Sequence, residues 1–508
     1  MSTSVAGIIA AIIIYLGGML YIGYRFSKRT ETVGEFYLGG RKLGPLAAAM
    51  SAEASDMSSW LLMGLPGVAY LTGIADAAWT AIGLAVGTYL NWLIVAKRLR
   101  LYTAKVEAIT VPEFFSRRYR DEKKILTLIA ALIIVVFFVP YTAAGFAACG
   151  KLFSTLFNAD YHAAMIISAV VIIAYTAMGG FMAVSITDLI QSIVMTIALV
   201  VILFFGIQSA GGMDAVMNNA KSLAGYLSLT QIHDMASGKA VPYTALTILS
   251  TTAWGLGYFG MPHILLRFMA IEDENKLAIS RRVGTIWVII SMSVSVFIGI
   301  VGYAASANGA VPMLSGSDSE TIIVRFASLL AENGLLAALI AGVVLAGILA
   351  STMSTADSQL LTASSAVSRD LLQGVLGYEM DAKKTLLVSR LTLMGVALVS
   401  VFFAWDSTSS VFRIVSFAWA GFGASFGPVV LLALFWKRSN LWGALAGMLS
   451  GGAMIFIWKF LVRPMGGVLD IYELLPAFII SSIVIVVVSL LTPAPSKEIQ
   501  EDFDAVKA

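Results

Sequence analysis

Apolar runs fill most of the chain, and the polar residues between them fall in short clusters. Most runs approach the roughly 20 residues that cross a hydrocarbon core. None shows the strict apolar–polar alternation of a barrel strand. The pattern predicts thirteen transmembrane helices, here called spans, at about 5–26, 44–70, 75–98, 126–150, 162–183, 187–208, 243–265, 283–306, 335–365, 387–404, 411–435, 440–461 and 473–491. A short amphipathic helix is expected at the interface over 111–124 (VPEFFSRRYRDEKK), and another helix over 320–333. The outer loop 209–242 is expected to be partly ordered, and the polar tail 493–508 to be mobile.

Three spans depart from plain apolar sequence. Span 2 holds Glu53, Asp56, Ser58 and Ser59 between apolar flanks. A carboxylate at membrane depth is costly, so this stretch reads either as a broken helix lining a cavity or as a helix that enters the bilayer late. Span 7 contains Gly255, Gly257, Gly260 and Pro262, which weaken a helix, with Trp254 and Tyr258 one turn apart. The two rings suit the wall of a small, partly apolar ligand, although aromatic packing is the commoner use. Span 9 carries Ser351, Ser354, Thr355 and Ser358 on one helical face, beside Asp357. Oxygen-lined faces suit hard cations, while Ser and Thr more often bond neighbouring helices. Between spans 5 and 6, Gly179–Gly180 breaks or turns the chain, and Asp188 enters an apolar helix as a cation ligand or a structural acid. Tyr141 follows Pro140, a kink that aims its ring at the cavity or into packing.

Spans 2 and 7 lie five spans apart, and an odd offset inverts topology. The expected organisation is therefore two inverted repeats, 44–208 (spans 2–6) and 243–436 (spans 7–11). The first span and inner loop (1–43), the outer loop (209–242), spans 12 and 13 (437–492) and the tail (493–508) lie outside them.

Composition agrees. Of 508 residues, 59% are hydrophobic and 12% charged, against roughly 25% charged in soluble domains. Mean hydropathy is +0.88. The net charge of +3 is small, but most of the 33 Lys and Arg residues fall on one side if the N-terminus is outside. This predicts an inside C-terminus, with Lys28, Arg29, Arg267 and Lys507 among the inner positive charges. The single Cys149 makes no intrachain disulfide, and His162, His233 and His263 form no metal motif. The first run is too long for a cleavable signal. No phosphate loop or hydrolase constellation stands out, so an ion gradient is the expected driving force. No enzymatic activity, nucleic-acid partner or obligate protein partner is expected; the surroundings are membrane lipid.

SAEASDMSSWLLMGLPG (51–67), YTAMGGFMAVSITD (175–188), AWGLGYFGMPHILLRFMA (253–270), MSTADSQLL (353–361) and SFAWAGFGASFGPVVLLALFWKR (416–438) together resemble the solute:sodium symporter family, and within it the sodium/proline branch. The resemblance implies an all-α fold of the LeuT type in the cell membrane, with sodium ion as the driving ion and L-proline as the imported solute. It implies a sodium site on the carbonyls of Ala54, Met57 and Ser351 and the hydroxyls of Ser354 and Thr355. Asp56, Asp188, Asp357 and Ser358 are candidates for support or a second site. Some relatives bind a second sodium on hydroxyls one turn beyond the first, and an aspartate at 357 departs from that pattern. Ser58, Trp60, Tyr141, Trp254 and Tyr258 would contact the solute, and Glu53 has no assigned role. The alternatives are another solute of the same family, such as a different amino acid or pantothenate, or a transporter-like sensor, for which the tail is expected to be too short.

Overall fold

The computed structural model describes residues 3–27 and 33–506; Lys28, Arg29 and Lys507 lie outside the described residues. Ten helices among the described residues are long and apolar enough to cross a membrane. Of the thirteen predicted spans, the three that escape this count are spans 2 and 7, both broken, and span 5, whose apolar helix Tyr161–Ala174 is short.

Span 2 consists of Pro45–Ser59, a π-helical turn Trp60–Gly64, and Leu65–Thr72. Its break is at Ser58, where φ is 47° and ψ −172°. Span 7 consists of Ala245–Thr252, a 3₁₀ segment Ala253–Gly260, and Pro262–Ala270, with Met261 extended between the last two. Eight residues of 3₁₀ helix is long for that geometry and marks strained or functional backbone. Spans 5 and 6 run as Tyr161–Ser209, interrupted only at Gly180, whose φ of 65° turns the chain there.

Span 9, Leu335–Ser365, is the centre of the bundle, and every residue from Val344 to Ser365 is buried. It packs against span 1 (Thr3–Ser27), span 2, span 4 (Ile125–Phe157), span 6 and span 10 (Ala382–Phe403). Span 3 begins as Ile74–Leu90, passes through a π-helical turn Asn91–Val95, and continues as Ala96–Lys105. It crosses span 7 backbone to backbone. A Cβ added to Gly87 would stand 2.3 Å from the Gly255 carbonyl oxygen. Span 8 is Leu277–Ala307, span 11 Val411–Phe435, span 12 Leu441–Ile457 and span 13 Leu474–Leu491.

Three expectations change. The tail is ordered: Lys497–Ala505 is a helix, capped by Ser496, with Ile499 and Phe503 buried. The guanidinium groups of Arg98 and Arg118 lie 4.6 and 5.3 Å from the Phe503 ring centre. Arg120 pairs with Glu498 and Asp502, and Lys437 with Asp504. Surface ion pairs alone hold little, so the buried ring is the anchor. Segment 111–124 is helical only over Val111–Arg118, and Phe114, Phe115 and Arg118 are buried within the protein rather than floating at the lipid interface. Thr110 accepts from the Glu113 N–H while Glu113 accepts from the Ile109 N–H, a capping box with the acid's reach shifted by one residue. Arg267 is no loop residue, for it lies inside Pro262–Ala270 and is fully buried. The outer loop is partly ordered, as expected, with helix Met213–Ser222 and an antiparallel hairpin of Gln231–Asp234 with Lys239–Pro242. The helix expected over 320–333 appears as Gly316–Thr321 followed by Ile322–Ala331.

The span 3–span 7 crossing should be intolerant of side chains. Gly87→Val is expected to lower the yield of folded, monodisperse protein and its Tm, overpacking being worth ~1–3 kcal/mol. Gly17→Val, in open space on span 1, should leave both unchanged. Thermal denaturation of the purified protein in detergent checks this, and an unchanged Tm for Gly87→Val would refute the tight crossing.

Candidate functional site

The site starts from the break in span 2. Positive φ at Ser58 ends the regular ladder, and the Ser58 hydroxyl folds forward to accept from the Trp60 N–H at 3.1 Å. The Trp60 N–H also reaches the Met57 and Ser58 carbonyls. Backbone freed this way inside a bilayer must find partners elsewhere. The Ala54 carbonyl takes one from span 9, where the Ser354 hydroxyl donates to it at 2.8 Å. Ser354 and Thr355 also donate to the Ser351 carbonyl, at 3.2 and 3.1 Å. Ala54, Ser351, Ser354 and Thr355 are therefore linked in one buried knot of hydroxyl and carbonyl oxygens, while the nearby Met57 carbonyl is taken by the Trp60 N–H within span 2. The Ser351 hydroxyl itself turns back to Ile348 within its own helix.

The expected solute-contacting residues gather beside this knot. Tyr141 donates to the Asp56 carbonyl at 3.0 Å, and Tyr258 donates to the Asp56 carboxylate at 2.5 Å. Trp60 and Trp254 have ring centres 5.5 Å apart. Two small cavities flank the break, one touching Ser58, Tyr141 and Thr355, the other Asp56, Met57, Trp60, Tyr141 and Trp254. Each has a volume of about 10 Å³, room for one water-sized body. The walls are collapsed, and an amino-acid-sized solute needs them apart.

Other residues of the site escaped the sequence reading. Phe412 stacks on Trp60 with ring centres 5.8 Å apart, and Tyr472 on Trp254 at 5.2 Å. Trp419 donates to the Trp254 carbonyl at 2.7 Å and meets Tyr258 edge-on. Gly257 is glycine because a Cβ there would stand 1.9 Å from the Trp419 ring nitrogen. Above this wall, Glu320 holds the start of span 11. It accepts from the Val411 and Phe412 N–H groups at 3.1 Å each and from Lys151 at 2.9 Å.

Asp188, Asp357 and Ser358 form a second cluster, and Arg267 is what unites it. The Arg267 guanidinium donates to Asp188 at 3.1 Å, to Ser358 at 2.6 Å and to Ser51 at 3.0 Å. Ser51 in turn donates to Asp188 at 2.6 Å. One oxygen of Asp188 and one of Asp357 stay buried without a hydrogen-bond partner. Charge deep in a bilayer must be paired, and here one guanidinium faces two carboxyl groups. The signal for Arg267 was available, since a lone arginine in an otherwise apolar stretch asks for an acid on a neighbouring helix. Glu53 is also placed: its Oε1 accepts from Thr88 at 2.7 Å and from the Trp92 ring N–H at 2.9 Å.

Known proteins share this architecture. An Na⁺-coupled sialic acid symporter of solved structure matches with a TM-score of 0.79 over 97% of this chain and 99% of its own, at 18% identity. A nucleobase-cation-symport-1 family transporter matches at 0.54 over 92% and 98%, at 12% identity. Both likenesses establish a LeuT-type helical fold. In sequence, the chain is 41% identical to a high-affinity proline transporter of Bacillus subtilis, covering 96% of this chain and 98% of that one. It is 39% identical to an osmoregulated proline transporter of the same organism, over 96% of each. It is 40% identical to a sodium/proline symporter of Haemophilus influenzae, over 97% and 96%. The model of the sodium:solute symporter family matches residues 36–451. With that match spanning most of its length, this multi-pass membrane chain belongs to the sodium:solute symporter family.

Proposed function

We propose that this chain imports L-proline by sodium-coupled alternating access. The observation that carries the reading is the seam between the break of span 2 and the hydroxyl face of span 9, where Ser354 bridges to the Ala54 carbonyl. Near-complete relatives named as proline transporters give the solute. Sodium is a co-transported substrate here. Its ligands would be the carbonyls of Ala54, Met57 and Ser351 with the hydroxyls of Ser354 and Thr355, and Asp56 would offset its charge nearby. Such oxygen donors suit a hard cation.

The cycle follows from the same contacts. A sodium ion at the seam replaces the Ser354–Ala54 bond and fixes the unwound turn of span 2. That turn presents Asp56, Ser58 and Trp60 to the solute, while Tyr141, Trp254 and Tyr258 complete the wall. Because the ion and the solute are ordered by one segment, each raises the other's affinity, and the coupling is reciprocal. An inside-negative potential adds roughly 2.3 kcal/mol per charge for each 100 mV. The inverted repeats are 44–208 and 243–436, with the N-terminus outside and the C-terminus in the cytoplasm.

Purified protein in vesicles should accumulate radiolabelled proline under an inward sodium gradient. Equal uptake with potassium or a proton gradient alone would sink the coupling. Ser354→Ala combined with Thr355→Ala should raise the sodium concentration for half-maximal uptake by tenfold or more, on the order of 1.4 kcal/mol. An unchanged sodium dependence would remove both hydroxyls from the site. Tyr258→Phe deletes the donor to Asp56, and hydrogen bonds to charged groups are worth ~1.5–3 kcal/mol. Its proline KM should rise about tenfold, at ~1.4 kcal/mol per decade; a KM within twofold of wild type would make that bond incidental.

A further inference from the structure

Glu53 is a buried acid next to the proposed sodium-binding carbonyl of Ala54, yet its contacts lead away from the site. Its Oε1 accepts from Thr88 and from Trp92, both on span 3. Gly284 of span 8 leaves it room, since a Cβ there would stand 2.9 Å from the same oxygen. Its Oε2 is buried without a partner. The carboxyl serves its surroundings through one accepting oxygen.

The same stretch of span 3 is fastened to the other broken helix. Gly83 and Gly87 abut the backbone of span 7 at Thr252 and Gly255. One turn on, the Asn91 side chain donates to the Tyr258 carbonyl at 2.9 Å. Gly83, Gly87 and Asn91 recur at four-residue spacing, with Thr88 and Trp92 each one place further on. This is a continuous helical ridge that touches span 7 with one row and Glu53 with the next. The sodium-side break and the solute-side break are thus attached to a single helix, whose Leu84 lines the cavity between them, in addition to the direct Asp56–Tyr258 bond.

We infer that Glu53 and Asn91 are positioning residues that fasten the two broken helices to span 3 and so transmit sodium binding at Ala54 to the proline wall at Tyr258. This deepens the reading of a sodium-coupled proline symporter and rests on it. Fixing the turn at Ala54 fixes Glu53, which sets span 3 through Thr88 and Trp92, and Asn91 then sets the backbone that carries Tyr258. The two fastenings lie in series, so cutting either interrupts the same route. Neither touches ion or solute.

The test is the ratio of proline KM at low sodium to that at saturating sodium, measured in vesicles containing the full-length protein. Allosteric couplings of this kind are typically about 5–150-fold. Glu53→Leu and Asn91→Ala should each lower the ratio at least threefold, while the maximal rate with both substrates saturating stays within about twofold of wild type. Glu53→Gln, which keeps the accepting oxygen, should retain the wild-type ratio. The double variant should lose no more than the worse single one, because contacts in series are not additive. An unchanged ratio in both single variants overturns the inference, as does a loss in Glu53→Gln equal to that in Glu53→Leu, or additive losses in the double variant. If Glu53→Leu does not fold, Thr88→Val with Trp92→Phe removes the same two donors and is judged by the same ratio. A wild-type ratio of one would instead overturn the parent reading of sodium-raised proline affinity.

Discussion

Water is missing from a bilayer core, so every backbone group released by a helix break needs a protein partner. This constraint organises the molecule. The Ala54 carbonyl is met by Ser354 of span 9, the Asp56 carbonyl by Tyr141 of span 4, and the Leu61 carbonyl by Ser295 of span 8. On the other broken helix, Asn91 of span 3 meets the Tyr258 carbonyl and Trp419 of span 11 meets the Trp254 carbonyl. Five carbonyls from two breaks are thus served by five different helices. The partners converge because the breaks lie side by side, with Tyr258 bonded to Asp56. The site proposed for a cation and a small solute would be built on carbonyls held in this way.

Close packing is what lets those helices converge. Spans 3 and 7 meet at Gly83, Gly87 and Gly255, where no side chain fits between the backbones. Without strong hydrophobic drive between helices in lipid, such small-residue crossings supply much of the association. The same absence of side chains at Gly257 admits the Trp419 ring and brings span 11 onto the wall. The glycines that weaken span 7 as a helix are therefore the ones that let its neighbours approach.

Local sequence carried the broken helices well. Pro262 with three glycines and the polar cluster around Asp56 are features of single segments, and the breaks fall within them. The hydroxyl face of span 9 was also legible, because periodicity fixes which residues share a face. What escaped was set by distant partners. Arg267 sits near the end of an apolar run and reads as a loop charge until Asp188 and Ser358, on two other helices, are brought to it. Phe412 and Trp419 join the aromatic wall from span 11 and Tyr472 from the turn before span 13, and nothing local marks their rings as different from lipid-facing ones. The tail looks polar by composition, but Ile499, Phe503 and Val506 are buried and dock it, with the Arg98 and Arg118 guanidinium groups beside the Phe503 ring.

A transporter must also let its cargo go, and the collapsed seam bears on this. In this conformation the Ala54 carbonyl and the Ser354 hydroxyl satisfy one another. At the proposed sodium site an arriving cation would not add contacts to empty groups; it would exchange an existing hydrogen bond for ion–oxygen contacts, and only the difference would count toward affinity. A net hydrogen bond in a protein is worth about 1 kcal/mol, so giving up this one costs little. The same argument separates the two polar clusters of span 9. At Ser354 the bridging partners are uncharged and readily exchanged. One turn further, Ser358 is held by the Arg267 guanidinium, which is itself paired with Asp188. Removing one member of a buried ion pair typically costs ~3–5 kcal/mol, so this second cluster resists rearrangement far more than the first. Exchangeable neutral oxygens beside a firmly paired charge give the seam one place that yields and one that holds.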